Sequence, residues 1–206
     1  MKKFAILLAI STMVISFASI SFADGFNWDK PDGEAVNFKV SASWVNPNDN
    51  ALKSGYNIEG LVSYDIWGFL ALGIETGYTR IDVEASGIDF GHFNCFPVMG
   101  DIILKAPYEF ENFKATPYIV NGFGALITDF TESSAISGVA IDSRTGFLYK
   151  LGGGLDFYLM DWLGLNFEVS YQWAKVDLKA SAGSTSLTGS QNMDALYLGG
   201  GVIISF

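Results

Sequence analysis

Residues 163–174 read Leu-Gly-Leu-Asn-Phe-Glu-Val-Ser-Tyr-Gln-Trp-Ala. Leu163, Leu165, Phe167, Val169, Tyr171 and Trp173 take every second place, and Gly164, Asn166, Glu168, Ser170, Gln172 and Ala174 lie between them. A period of two belongs to a strand with one face in an apolar medium, since a helix would repeat every 3.6 residues. The same beat recurs outward from this stretch. In 144–159, Phe147, Tyr149, Leu151, Leu155, Phe157 and Leu159 oppose Lys150, Gly152, Gly154 and Asp156. In 35–45, Val36, Phe38, Val40, Ala42 and Trp44 oppose Asn37, Lys39, Ser41 and Ser43. Toward the C-terminus, Leu196, Leu198, Val202, Ile204 and Phe206 oppose Ala195, Tyr197, Gly199, Gly201 and Ser205. Weaker alternation over 56–66, 69–82, 92–105 and 116–128 completes eight strands. Each is about 10 to 16 residues long, where soluble strands run to about 5 or 6 and a tilted membrane strand needs about 9 to 11.

The joins alternate in length. Ile66-Trp67-Gly68 and Met160-Asp161-Trp162 are short, and 107–115 is moderate. The joins 46–55, 83–91, 129–143 and 178–191 are longer and rich in Gly, Ser, Asp and Asn. Short periplasmic turns and long external loops have this pattern. The expected fold is all-β: an eight-stranded antiparallel up-and-down transmembrane β-barrel over 24–206. A soluble barrel of the lipocalin kind is the structural rival. The polar face, mostly Gly, Ser, Ala and Asn, suits a narrow interior better than a solvated exterior. Aromatics gather toward the strand ends, Trp67, Phe69, Tyr118, Phe157 and Trp162 at one and Trp44, Tyr56, Tyr78, Phe147, Tyr171 and Trp173 at the other. Two aromatic girdles are expected at two membrane interfaces.

Composition narrows the function classes. Of 206 residues, 50% are hydrophobic and only 17% charged, which excludes a disordered chain. A net charge of −10 argues against nucleic acid as a partner. One cysteine excludes an internal disulfide framework and a Cys-rich metal site. Met1-Lys2-Lys3, the apolar run Phe4 to Ile20 and the small residues of Ser21-Phe22-Ala23 predict a secretory signal peptide over 1–23, cut after Ala23. No later stretch reaches 18 uninterrupted apolar residues, so no membrane helix is expected.

The final stretch Asp194-Ala-Leu-Tyr-Leu-Gly-Gly-Gly-Val-Ile-Ile-Ser-Phe206 resembles the last strand of outer-membrane barrels. Leu148 to Phe157 and Trp162 to Tyr171 resemble the sixth and seventh strands of the small eight-stranded superfamily (OmpA/OmpX/OmpW-like), and Thr116 to Val120 its fifth. The opening Asn37-Phe-Lys-Val-Ser-Ala-Ser-Trp-Val-Asn-Pro47 is similar to the OmpW branch. The resemblance spans most of 35–206. It implies a protein of the Gram-negative outer membrane, surrounded by lipid and lipopolysaccharide. It also implies that Phe206 is read by the barrel-assembly machinery as a C-terminal signal.

Parity assigns Lys39, Glu59, Glu75, Asp101, Lys105, Lys150, Asp156 and Glu168 to the interior. An eight-stranded barrel is just wide enough for side chains to fill it, and charges there must pair or be hydrated. Two readings follow, a salt-bridged plug and a gated polar path. Five carboxylates against three ammonium groups leave two negative charges over. One carboxyl is therefore expected to keep a proton, or a cation or water to be held there. His92 is the single histidine, but no serine spacing completes a catalytic set with it. Cys95 reads as a small apolar barrel residue. Gly152 to Gly154 and Gly199 to Gly201 lie within strands and are not phosphate loops. Acidic residues of the loops, among them Asp49, Asp82, Glu84, Asp89, Asp129, Glu132, Asp142 and Asp177, raise bridging divalent cations as an idea.

The leading functional expectation is a non-enzymatic envelope or surface-interaction barrel with a largely closed lumen and no cofactor. A narrow porin-like channel for small solutes, hydrophobic ones being implied by the OmpW-like opening, is the alternative. A lipid A-modifying enzyme using His92 and a secreted soluble carrier complete the set.

Overall fold

The computed structural model describes residues 36–85, 87–110, 113–133, 140–143, 145–182 and 185–206. The segment 1–23, with its expected cleavage after Ala23, lies outside them. The strands are β1 (Val36–Pro47), β2 (Gly55–Trp67), β3 (Leu70–Ala85), β4 (Ile88–Lys105), β5 (Tyr108–Phe110), β6 (Phe113–Glu132), β7 (Ala140–Ser143), β8 (Gly146–Met160), β9 (Leu163–Ala182), β10 (Thr185–Asn192) and β11 (Ala195–Ser205). Eight of them, β1, β2, β3, β4, β6, β8, β9 and β11, pair antiparallel in chain order, and β11 returns to pair with β1. The sheet is therefore a closed barrel. Closure leaves no barrel edge with unpaired backbone, which a lipid-embedded sheet requires.

The register fixes the shape. One row of direct partners runs Asn37, Ser63, Gly73, Asp101, Gly122, Lys150, Gln172, Ala195 and back to Pro47. The circuit returns to β1 ten residues further on. Ten residues of stagger over eight strands set a tilt of about 40°.

The apolar face points outward. Val36, Phe38, Val40 and Trp44 of β1 are exposed, while Asn37, Lys39, Ser41 and Ser43 between them are buried. The belt continues with Ile58 and Val62, Leu72 and Ile74, Val98 and Ile102, Phe167 and Val169, and Leu198 and Val202. Tyr56 and Trp67 bound it on β2, and both are exposed. At about 3.3 Å per residue and a tilt of about 40°, the height between them is about 27 Å, against about 25 Å for the apolar band of outer-membrane barrels. So extensive an apolar surface is not that of a soluble carrier.

Three features differ from the sequence expectation, two at the ends of the barrel and one within its wall. Residues expected in the joins 83–91, 129–143 and 178–191 extend β3, β4, β6 and β9 beyond the belt, and β7 and β10 both pair with β9 there. Asp82, His92 and Asp129 have the outward parity above the belt, where water replaces the apolar medium, so polar residues there are compatible with strand, while Ile81 and Phe93 beside them stay buried inside. At the opposite end, β5 folds back on the start of β6, pairing Phe110 with Phe113. Finally, the pairing of β3 with β4 is interrupted without a change of register: Thr76 pairs with Val98 and Thr79 with Cys95, with no pairing between. Pro97 lies in that gap. A proline has no N–H to give a neighbouring strand and is unusual in a strand with two partners. Its carbonyl instead accepts a hydrogen bond from the Thr76 hydroxyl at 3.0 Å.

Candidate functional site

Strand parity brings all eight charged residues singled out above into or beside the interior. Lys39, Glu59, Glu75, Asp101, Lys105, Lys150 and Asp156 are buried, and the Glu168 side chain is nearly so. Lys150, on β8, is 0% exposed. Its ammonium donates to Glu75 Oε1 and Oε2 at 3.1 and 2.8 Å and pairs with Glu168 Oε1 at 2.7 Å. Glu75 comes from β3 and Glu168 from β9, so the lysine ties walls that are not adjacent in the barrel. An ammonium has three N–H donors, and these contacts use all of them.

A second centre lies at Tyr118. Its hydroxyl donates to Glu168 Oε2 at 2.8 Å and accepts from Lys39 Nζ at 3.1 Å and Asn166 Nδ2 at 2.8 Å. Lys39 also lies 3.4 Å from Asp156 Oδ1 and 4.2 Å from the Tyr118 ring centroid, a cation–π arrangement. Asn166 donates again to Asp156 Oδ1 at 2.7 Å. Tyr118 needs an absence to fit: a Cβ at Gly154 would collide with its ring and hydroxyl. Two smaller groups flank this core. Glu59 accepts from Ser41 Oγ at 3.0 Å and Asn57 Nδ2 at 2.6 Å. At the end of the barrel carrying the short turns, Lys105 pairs with Asp65, which also accepts from Asn37 Nδ2 at 3.1 Å.

Two residues expected in the aromatic girdles lie elsewhere. Tyr118 is 2% exposed and belongs to the interior network just described. On β6 the apolar residues Ile119 and Val120 occupy both parities, so alternation there does not separate inside from outside. Tyr171 has the outward parity but is buried, its ring 4.6 Å from that of Trp173. Trp44, Trp67 and Trp162 are exposed on the outer surface. Phe69 stacks on Trp67 at 5.5 Å, Phe157 packs on Phe113 at 5.0 Å and Trp173 on Tyr149 at 5.2 Å. Phe206 is 79% exposed, and its backbone exchanges hydrogen bonds with Val36 at 2.9 and 3.1 Å.

Three residues of the interior network were not placed there by the sequence reading: Asp65, Asn57 and Tyr118. Asp65 shares the parity of Glu59 and was within reach of the same argument. The half of the interior toward the long joins has a different chemistry. Val45, Ile81, Phe93, Cys95, Met99, Leu126, Leu148, Val176 and Tyr197 pack there into one apolar cluster, joined by Leu52 from the β1–β2 join and Met193. Leu52 bridges to Val83. Cys95 is thus a buried apolar residue of the lumen. His92 pairs across the sheet with Asp82 and Thr131 above the belt. Among the described residues, no three His, Cys, Asp or Glu side chains converge on a point where a metal ion would be held. The exposed acids Glu84 and Asp82 instead meet Lys53 and Arg80, at 3.4 and 3.3 Å.

No protein-family model matches this sequence, and no curated protein sequence does. Solved structures do. The crystal structure of the outer membrane protein OprG from Pseudomonas aeruginosa superposes with a TM-score of 0.68 at 12% identity, covering 86% of this chain and 98% of that one. The chain has the fold of the small eight-stranded outer-membrane barrels. Outer membrane protein AlkL, determined by solid-state NMR in DMPC bilayers, gives 0.54 at 19% identity over 89% of this chain and 94% of that one. Neisserial surface protein A gives 0.51 at 16% identity, over 85% and 98%. The charged interior is enclosed by a wall whose outer face is apolar, and Lys150 links β3, β8 and β9 across it.

Proposed function

We propose that the protein resides in the bacterial outer membrane as a non-enzymatic barrel, closed to water-soluble solutes, with an envelope or surface-interaction role. The observation that carries this reading is Lys150, without solvent contact and held between Glu75 and Glu168 from separated strands. Opening a path past it would separate buried opposite charges, at a cost of several kcal/mol. The apolar cluster beyond it adds a second barrier to ions. Refolded into lipid vesicles, the protein is expected to run as a heat-modifiable band on electrophoresis and to give no steady single-channel current. A steady current in the folded protein would overturn the closed lumen.

The seam at Pro97 favours a second reading: small apolar molecules enter the outer half of the interior and leave sideways into lipid between β3 and β4. Pro97 lies between the apolar interior residues Cys95 and Met99, with Phe96 and Val98 facing outward beside it. Transfer of an apolar dye into vesicles is then expected to exceed that of protein-free vesicles and to fall severalfold in Pro97→Ala, which restores a backbone N–H. Equal transfer by the variant and the wild type would remove this reading.

A further inference from the structure

The three ammonium groups of the interior are all committed. Lys150 is taken by Glu75 and Glu168, Lys39 by Tyr118 and Asp156, and Lys105 by Asp65. Six carboxyl groups share this space: Glu59, Asp65, Glu75, Asp101, Asp156 and Glu168. Each of the others has a cation or a neutral donor. Asp101 differs, since it is 2% exposed and neither of its carboxylate oxygens has a donor.

Its position follows from the register. Asp101 lies opposite Gly73 on β3, and Glu75, two residues on along the same inward face, is its diagonal neighbour. On the other side it lies opposite Gly122, whose partner in turn is Lys150. A Cβ at Gly122 would collide with Asp101 Oδ1, so the glycine leaves the space that this carboxyl fills. The charged groups facing Asp101 are Glu75 from β3, Lys150 from β8, Glu168 from β9 and Glu59 from β2. As diagonal neighbours on one inward face, the two carboxyls can hydrogen-bond only if one of them carries a proton, since two ionised carboxylates repel and neither can donate.

We propose that the Glu75–Asp101 carboxyl pair is a proton-binding site that holds one proton at neutral pH inside the barrel. The Asp101 carboxyl donates to a Glu75 oxygen, while Glu75 keeps its negative charge for Lys150. A carboxyl oxygen has lone pairs enough to accept both. The proton turns one unpartnered Asp101 oxygen into a donor with an acceptor in reach and removes one negative charge from an interior with twice as many carboxyls as ammonium groups. The site rests on the interior arrangement alone and is independent of whether the barrel conducts.

The test is carboxyl 13C NMR of the full protein folded in lipid nanodiscs, titrated from pH 5 to pH 9. One protonated carboxyl of this pair is expected at pH 7. Its signal is expected to vanish in Asp101→Asn and to stay unchanged when NaCl is exchanged for choline chloride. Because the folded state binds a proton that the unfolded chain releases, stability falls as pH rises toward the pH at which the folded protein loses it. The slope is up to tenfold in the folding equilibrium constant per pH unit. Asp101→Asn, which carries permanent N–H donors, is expected to lose that slope. Two ionised carboxyls at pH 7 in the wild type would overturn the proposal. So would a signal that follows Na⁺ or K⁺ concentration, which would mean a bound metal cation instead. Should Asp101→Asn not fold, the wild-type titration and its salt comparison decide the matter.

Discussion

Replacing Lys150 with methionine is expected to destabilise the folded barrel by about 3–5 kcal/mol, the range for removing one member of a buried ion pair. Methionine has nearly the length of lysine and fills the same space, so the loss is one of charge and not of packing. Glu75 and Glu168 would then face each other across the lumen without the ammonium that holds them at 2.7–3.1 Å. Urea unfolding in lipid vesicles measures the loss as a shift in midpoint at constant slope. Adding Glu75→Gln to Lys150→Met is expected to return part of the stability, because one stranded carboxylate is gone. Additive losses in that cycle would mean that the two residues are not coupled.

An arginine in place of Ile74 tests the outer surface. Ile74 is 69% exposed, and it lies on the belt between Val62 and Gly100, about midway along the apolar part of β3. A cation at the bilayer midplane of a barrel's lipid face costs about 2–4 kcal/mol, falling to about 0–1 near the interfaces. Ile74→Arg is therefore expected to cost about 2–4 kcal/mol in vesicles. Asp129→Arg, above the belt on β6, is expected to cost less than about 1 kcal/mol by the same measurement. Equal small effects at both positions would mean that Ile74 does not face lipid.

The architecture was legible because alternation needs no knowledge of partners. Leu163 to Ala174 declares its two faces wherever the neighbouring strands lie. The interior charges were legible for the same reason, since a lysine or glutamate on the Gly and Ser face has one direction to point. Tyr118 was not, because an aromatic residue is at home both at the lipid interface and inside a barrel. Its place depends on Gly154, 36 positions later in the chain, leaving room for it across the sheet. Tyr171 obeys its parity and is nevertheless buried, with its ring against that of Trp173. The extended strands above the belt were hidden by composition, because the polar residues that mark a loop also suit the outward face of a strand that meets water. The gap at Pro97 is visible as a proline within an alternating run, yet its consequence appears only when β3 is placed beside β4.

The pairing of β1 with β11 governs how such a chain comes to be folded. Every other junction in the barrel wall joins strands that follow one another in sequence, whereas the hydrogen bond from Ser205 to Asn37 spans 168 residues. That contact has the largest loop-closure entropy of any single junction in the wall, although closure entropy grows only with the logarithm of the separation. High separation between partners slows folding, and an arc of seven strands would present two unpaired edges to hydrocarbon, each backbone group costing several kcal/mol. The intermediate that lacks only the last strand is therefore a poor resident of the membrane, although it holds nearly all of the native contacts. Assembly becomes a nearly all-or-none event whose committing step is the closure of β11 on β1, so changes in that seam are expected to slow folding more than changes at any other junction.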